Sequence, residues 1–229
     1  MSIAERVLAA YGAGGFGREV LELGEVIDRR NGPRWKEFIF IDDSESVPDT
    51  VDGYSVYNYQ HALEKYGKAL DVIIAVGEPC VRRKLMEKLQ TDQVEMPVLI
   101  NPDSFVSNKA VIGKGSVIRY GASVFCGAVI GENVCINPHA NIGHDSAIGD
   151  GSMISAFCNI AGGVKIGSYT YIGMSAVVRE LTGVGDGSVV SMGCVIRKDI
   201  PAHALAIGEP IKLIHIDDNF RIFGRAKAE

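Results

Sequence analysis

From Val106 to Ile196 the chain places Val or Ile at every sixth position without a gap: Ile112, Ile118, Val124, Ile130, Ile136, Ile142, Ile148, Ile154, Ile160, Ile166, Ile172, Val178, Val184 and Val190 lie between. The residue two positions earlier is always small, from Ser104 and Ala110 through Ser146, Ser152, Cys158 and Val164 to Ser188 and Cys194. A period of six fits neither an amphipathic helix nor a long alternating strand. It fits a chain that makes a short strand, turns a corner and repeats. In a strand, residues i−2 and i share a face, so the small and the branched residue both point inward. Glycine often follows the branched residue, as at Gly113, Gly131, Gly143, Gly149, Gly167, Gly173 and Gly185. The pattern assigns these glycines to the corner, where their backbone freedom is useful. Three sides close one coil of eighteen residues, and about five coils fit between residues 98 and 200. The expected architecture is a parallel β-helix whose stacked coils bury a ladder of Val and Ile.

Residues 1–97 follow a different grammar. "RVLAAY" reads as a strand, "GAGGFG" as a glycine-rich turn and "REVLELGEVIDRR" as an amphipathic helix. "EFIFIDD" is a second strand, "HALEKYG" and "DVIIAVG" a helix and a strand, and "CVRRKLMEKLQ" a further helix. Alternating strands and helices imply a small parallel sheet of Rossmann type. Gly12, Gly14 and Gly17 match G-x-G-x-x-G between strand and helix, and Asp42 follows near the acidic position of that fingerprint. The helix start offers amides to phosphate. Fewer than a hundred residues accommodate one mononucleotide-binding half and not two, which argues against NAD and suits the nucleotide part of an activated sugar. The plainer reading of the same glycines is a tight turn in an unoccupied sheet. Residues 201–229 form a C-terminal tail.

Composition narrows the classes. The 229 residues are 47% hydrophobic and 22% charged, as in a soluble globular protein. A net charge of −5 gives no basic footprint for nucleic acid, although local backbone amides can still bind small anions. No apolar run is long enough for membrane insertion, and the N-terminus reads as a first strand and not as a signal peptide. Five cysteines without a C-x-x-C pair fit reduced thiols and a cytoplasmic location.

"INPHANIGHDSAIGD" raises the chemical question, because His144 and Asp145 fill no core position in the repeat. Imidazole suits proton transfer near neutral pH, and an adjacent carboxylate raises its basicity. A solvated surface histidine is the plainer alternative. An eighteen-residue coil stacks Gly162 over His144 and leaves room there for a ligand, while Met174 and Met192 stack on each other on a different side. The spacing of His139 and His144 resembles the metal pair of gamma-class carbonic anhydrases. No third histidine is placed to complete such a site, since His61, His203 and His215 lie elsewhere, so no metal is expected. Cys158 and Cys194 occupy inward positions and read as structural. Arg82 or Arg83 could approach phosphate, but a solvated helix start is the favoured reading for both.

Four segments, "YGAGGFGREV", "FIDD", "IAVG" and "NPHANIGHD", resemble the hexapeptide-repeat acyltransferases, whose β-helix is left-handed. The closer resemblance is to their branch of sialic acid O-acetyltransferase-like and nucleotide-amino-sugar N-acetyltransferases of bacterial surface-glycan biosynthesis. It covers nearly the whole chain, including the exit "VIRKDIPAHALAIGEPIKLI", where Glu209 replaces a commoner Asn. The resemblance implies a homotrimer that uses acetyl-CoA as co-substrate and acetylates a nucleotide-linked sugar, expected at an amino group. It makes His144 the general base for direct attack on the thioester, has Asp145 strengthen it, and places Asn137 nearby. Gly14, Gly15, Phe16, Gly17, Asp42, Asp43 and Gly77 would contact the nucleotide sugar. Met153, Met174 and Met192 would contact acetyl-CoA, beside Gly162. Phe16 and Met153 stand where relatives commonly carry His, so the polar contacts of those side chains are absent. The competing expectations are O-acetylation of a sialic acid-type sugar, a non-catalytic nucleotide-sugar-binding scaffold, and methionines that merely pack an interface.

Overall fold

The six-residue period becomes a three-sided prism in the computed structural model, which describes residues 5–223. The first face stacks Leu99–Ile100, Val117–Ile118, Cys135–Ile136, Met153–Ile154, Tyr171–Ile172 and Val189–Val190. The second stacks Phe105–Val106, Ser123–Val124, Asn141–Ile142, Asn159–Ile160, Val177–Val178 and Val195–Ile196. Val111–Ile112, Val129–Ile130, Ala147–Ile148, Lys165–Ile166 and Gly183–Val184 make the third. Neighbouring strands are parallel and eighteen residues apart, so Asn141 lies between Ser123 and Asn159. Residues i−2 and i fill the interior as the period implies. Ile118, Ile136, Ile154 and Ile172 form one inner column and are fully buried. Each such side chain contributes about 1.5–3 kcal/mol on leaving water.

The small inner positions do more than save space. Ser152 Oγ donates to the Gly167 carbonyl at 2.7 Å and accepts from the Thr170 N–H at 2.9 Å. Ser116 repeats this pattern with Gly131 and Val134. These hydroxyls join one coil to the next and are themselves fully paired, as buried polar groups usually are. Cys158 Sγ takes the same place, 3.1 Å from the Gly173 carbonyl, and burial pushes its thiol up to about 11.

The corner glycines need a correction. The left-handed residue of most corners lies at i+3, occupied by Asn133, His139, Asp145, Phe157 and Tyr169 among others, with φ between 52° and 60°. Glycine at i+1 is required for a different reason: a Cβ on Gly143 would lie 2.5 Å from the Ala161 carbonyl carbon of the next coil. Close approach between coils, and not backbone freedom, selects it.

The N-terminal sheet contains β1 (Arg6–Tyr11), β2 (Trp35–Ile41), β3 (Thr50–Val51), β4 (Tyr54–Tyr57) and β5 (Leu70–Ile74), in the order β3-β4-β2-β1-β5. Helices α1 (Gly15–Asn31), α2 (Tyr59–Tyr66) and α3 (Pro79–Thr91) connect the strands. Alternation along β1 decides the layers. Val7, Ala9 and Tyr11 face α2 and α3, while Leu8 and Ala10 face α1. The hairpin β3–β4 was not anticipated, although Asp52-Gly53, both with positive φ, is a strong hairpin signal. Among the described residues no helix is long and apolar enough to cross a membrane.

The α1 side of the sheet shares its core with Leu99 and Val117 of the prism. Arg82 makes the second connection, and here the solvated reading is overturned, because its side chain is fully buried. It donates to the carbonyls of Ile74 (3.0 Å) and Val76 (2.9 Å) at the end of β5. It also donates to the carbonyls of Gly151 (3.1 Å) and Asn133 on the prism. A fork of five N–H donors can serve four carbonyls at once, which lysine cannot. Arg83, by contrast, lies over the Tyr169 ring, 4.4 Å from its centroid.

Arg82→Met keeps most of the volume and leaves these carbonyls unpaired, at about 1–3 kcal/mol for each group left unsatisfied. We expect a marked fall in the urea midpoint, only partly restored in Arg82→Lys; an unchanged midpoint would show that the joint does not depend on this guanidinium.

Candidate active site

His144 and Asp145 project from the prism edge between the second and third faces. Asp145 has φ +59°, a conformation that Asp tolerates better than most residues, and it turns its carboxylate back toward its neighbour. His144 Nδ1 lies 2.8 Å from Asp145 Oδ2. Both side chains are well exposed, 66% and 72%. The backbone on either side holds the corner: the Asp145 N–H donates to Cys126 O, and the Gly163 N–H to His144 O.

Glycine on both adjoining coils makes space for this pair. A Cβ at Gly162 would lie 2.5 Å from His144 Nε2, and one at Gly127 would lie 2.3 Å from Asp145 Oδ1. Gly162 was expected; Gly127 was not, although it lies one coil, eighteen residues, before Asp145. The same spacing that found the first would have found the second.

A groove of about 660 Å³ follows the second face from Gly143, beside the histidine, past Ala161 and Val177 to Arg179 and Arg197. Met174 and Met192 are exposed, 52% and 78%, but on the edge between the first and second faces. Met153 lies on the first face between Cys135 and Tyr171 and is only 6% exposed. No single chain therefore brings the three methionines to His144 and Gly162. Asn137 also begins the edge between the first and second faces. Its Oδ1 accepts from Arg119 Nη1 at 2.8 Å, and its Nδ2 donates to Ile154 O at 3.0 Å. It does not touch His144 of its own chain. His139 shares that edge, stacked 5.1 Å from Phe157, so the two histidines of one chain do not face each other.

The glycine loop opens at the carboxyl ends of β1 and β5, where the chain's connections diverge to opposite sides. Ligands of open α/β sheets bind at such a switch point. Gly12 (φ +117°) and Gly17 are structural; a Cβ on Gly17 would overlap the Gly12 carbonyl at 1.8 Å. Gly14 and Gly15 have nothing within 4 Å in that direction and can admit a ligand to the backbone. Phe16 turns toward the prism, its ring centroid 5.7 Å from the Arg119 guanidinium. Arg119 also pairs with Glu19 at 2.8 Å, and no sequence pattern marked this cation beside the loop.

The two acids after β2 have separate tasks. Asp42 accepts from the Ala13 N–H at 2.9 Å and the Ser44 N–H at 3.0 Å, which fixes the glycine loop. Asp43 accepts from the Tyr11 hydroxyl, the Tyr59 N–H and Lys88. Burial alone would raise its pKa, but these donors outweigh burial and hold the carboxyl below its ordinary value. Gly77 follows β5, and Phe223 of the tail covers it, since a Cβ there would meet the ring at 2.8 Å.

Known proteins share this two-part architecture. The PglD N-terminal domain family matches residues 7–89. The bacterial transferase hexapeptide (six repeats) family matches residues 127–160 and 145–180. The acetyltransferase domain of PglB from Neisseria gonorrhoeae FA1090 is 34% identical, with a TM-score of 0.84 over 91% of this chain and 100% of that one. It has also been solved in complex with acetyl coenzyme A. Perosamine N-acetyltransferase from Caulobacter crescentus, in a histidine-to-asparagine form with CoA and GDP-perosamine, is 26% identical, with a TM-score of 0.80 over 90% of this chain and 96% of that one. WeeI from Acinetobacter baumannii AYE is 28% identical, with a TM-score of 0.82 over 91% and 100% of the two chains. No curated protein sequence matches significantly. With identity of this degree along nearly its full length, the chain belongs to the hexapeptide-repeat acyltransferases, in the branch of acetyl-CoA-dependent sugar acetyltransferases that carry a PglD-type N-terminal domain.

Proposed function

We propose that the protein is a homotrimeric acetyltransferase that moves the acetyl group of acetyl-CoA onto the amino group of a nucleotide-linked amino sugar in bacterial surface-glycan biosynthesis, in the cytoplasm. The observation that carries this reading is the dyad. Asp145 engages Nδ1 of His144, and the ring edge with Nε2 lies over Gly162, where no side chain intervenes. A carboxylate on Nδ1 favours the tautomer with its proton there and leaves Nε2 as the acceptor. In the reaction, the amine nitrogen attacks the thioester carbonyl carbon while His144 Nε2 takes its proton. The intermediate then collapses with cleavage of the carbon–sulfur bond, and the imidazolium returns the proton to the CoA sulfur.

Several features support the acceptor and the assembly. The loop at Gly14 and Gly15 is open to a ligand, with the start of α1 behind it to receive a diphosphate. The similar perosamine N-acetyltransferase was solved with CoA and GDP-perosamine together. Since Met174 and Met192 lie on a different edge from His144, a cofactor that touches both runs between neighbouring copies of the chain. On this reading His144, Gly162 and the second-face groove come from one copy. Met153, Met174 and Met192 come from the next, and the nucleotide sugar reaches the thioester from the crevice beside Asn137.

Thiol release from acetyl-CoA tests the acceptor. UDP- or GDP-linked amino sugars should support it and free sialic acid should not; turnover with sialic acid alone would assign O-acetylation, and none with any acceptor a binding scaffold. Against the best acceptor, His144→Asn should lose about 10²–10⁴ in kcat with its melting temperature unchanged. Retained activity would remove the ring from the mechanism.

Gly162→Ala forces the imidazole aside while the coil's strand pairs remain. A displacement of this kind should lower kcat on the order of 10²-fold, and a wild-type rate would show that ring position is not critical.

His144→Asn mixed with Met174→Arg tests the shared site. Each variant alone should be inactive, and trimers reassembled from both should regain a fraction of the turnover; no recovery on mixing would place the whole site within one chain.

A further inference from the structure

The tail returns to the one part of the N-terminal domain that ought to be open. Glu78, the residue that precedes α3, makes no side-chain cap to that helix. Its carboxylate instead accepts from the N–H groups of Ile222 (3.1 Å) and Phe223 (2.6 Å). The pairing sets the Phe223 ring against Gly77, and the ring meets Tyr171 of the prism edge-on, with centroids 5.6 Å apart. Arg221 Nη1 lies 3.4 Å from Cys80 Sγ on the same helix turn.

Gly77 stands at the carboxyl end of β5, on one lip of the switch-point crevice, and Gly14 and Gly15 stand on the other. A Cβ at Gly14 or Gly15 would meet nothing within 4 Å, whereas one at Gly77 would meet the Phe223 ring of the protein itself. The ring is so close to Gly77 that no ligand atom fits between them, so a ligand that reaches this backbone and the docked ring exclude each other. The docking is also slight: Phe223 remains 55% exposed, and the backbone bonds of Ile222 and Phe223 end on a single carboxylate, while the Phe220 N–H bonds only within the tail, to Asp217 O. Segments held by few buried contacts open at low free-energy cost.

We propose that residues 220–223 are a strap that closes the nucleotide-sugar crevice in the empty enzyme and is displaced when the nucleotide sugar binds. This rests on the assignment of that crevice to the nucleotide sugar. Glu78 acts as the latch and Phe223 as the plug. Binding is then conformational competition, and the apparent affinity is reduced by the fraction of molecules with the strap closed.

The test compares the full chain with a form ending at Asn219 and with Phe223→Ala, using GDP and UDP as probes in calorimetry. If the strap is closed about nine-tenths of the time, both altered forms should bind the preferred nucleotide about tenfold more tightly. In the full chain, that nucleotide should speed tryptic cleavage after Arg221, followed by intact mass. Equal affinities overturn the strap alone. Slower cleavage with nucleotide also overturns it, because the tail would then be a wall that tightens over the ligand. Should neither nucleotide nor its amino-sugar conjugate bind even the shortened form, the crevice assignment falls, and the strap with it.

Discussion

Backbone pairing between coils, about 4.8 Å apart, is the constraint on which the rest of the structure depends. At that separation a residue eighteen positions away is a direct neighbour, and its side chain is either a contact or an obstruction. The glycine at i+1, the inner hydroxyl of Ser152 and the glycines that flank the His144–Asp145 pair all answer this one spacing. The His144–Asp145 pair inherits its geometry from the same rule. The dyad is not built from distant segments; it is a local kink in a ladder whose adjacent rungs have been emptied.

The sequence made the prism legible because its interior tolerates so little: sixteen branched residues in register leave no competing period. His144 stood out for the opposite reason, as a titratable side chain where the ladder needs none. The role of the i+1 glycines was misread because a one-dimensional period shows which residues recur but not how near the next coil comes. Arg82 was misread for a related reason. Helical spacing cannot reveal that Gly151 and Asn133, more than fifty residues away, present carbonyls to the first turn of α3. Arg119 escaped notice because its significance arises only when α1 is laid against the first face.

The two domains are consequently one structural unit around the crevice. A core shared through Leu99 and Val117 fixes α1 on one side, and the Arg82 fork fixes α3 on the other. Between these supports lie the glycine loop, Phe16 and the outer residues of the first face. On the proposed function, rigidity there matters more than in a simple binding domain, because the acceptor would be delivered to a thioester held partly by another copy of the chain. Even modest rocking of the sheet would move the amine out of reach.

The threefold corner rule has an evolutionary consequence. Adding one six-residue unit between His144 and Met174 would preserve every inward Val, Ile and small residue, yet it would rotate the later outward residues by a third of a turn. Met174 and Met192 would then stand on the histidine's own edge. Length variation in such a chain is quantised in two sizes: changes of six keep the scaffold and scramble the chemistry, and only changes of eighteen preserve both. A descendant could lose its reaction by this route with the inner ladder of its prism intact, and would be free to acquire another.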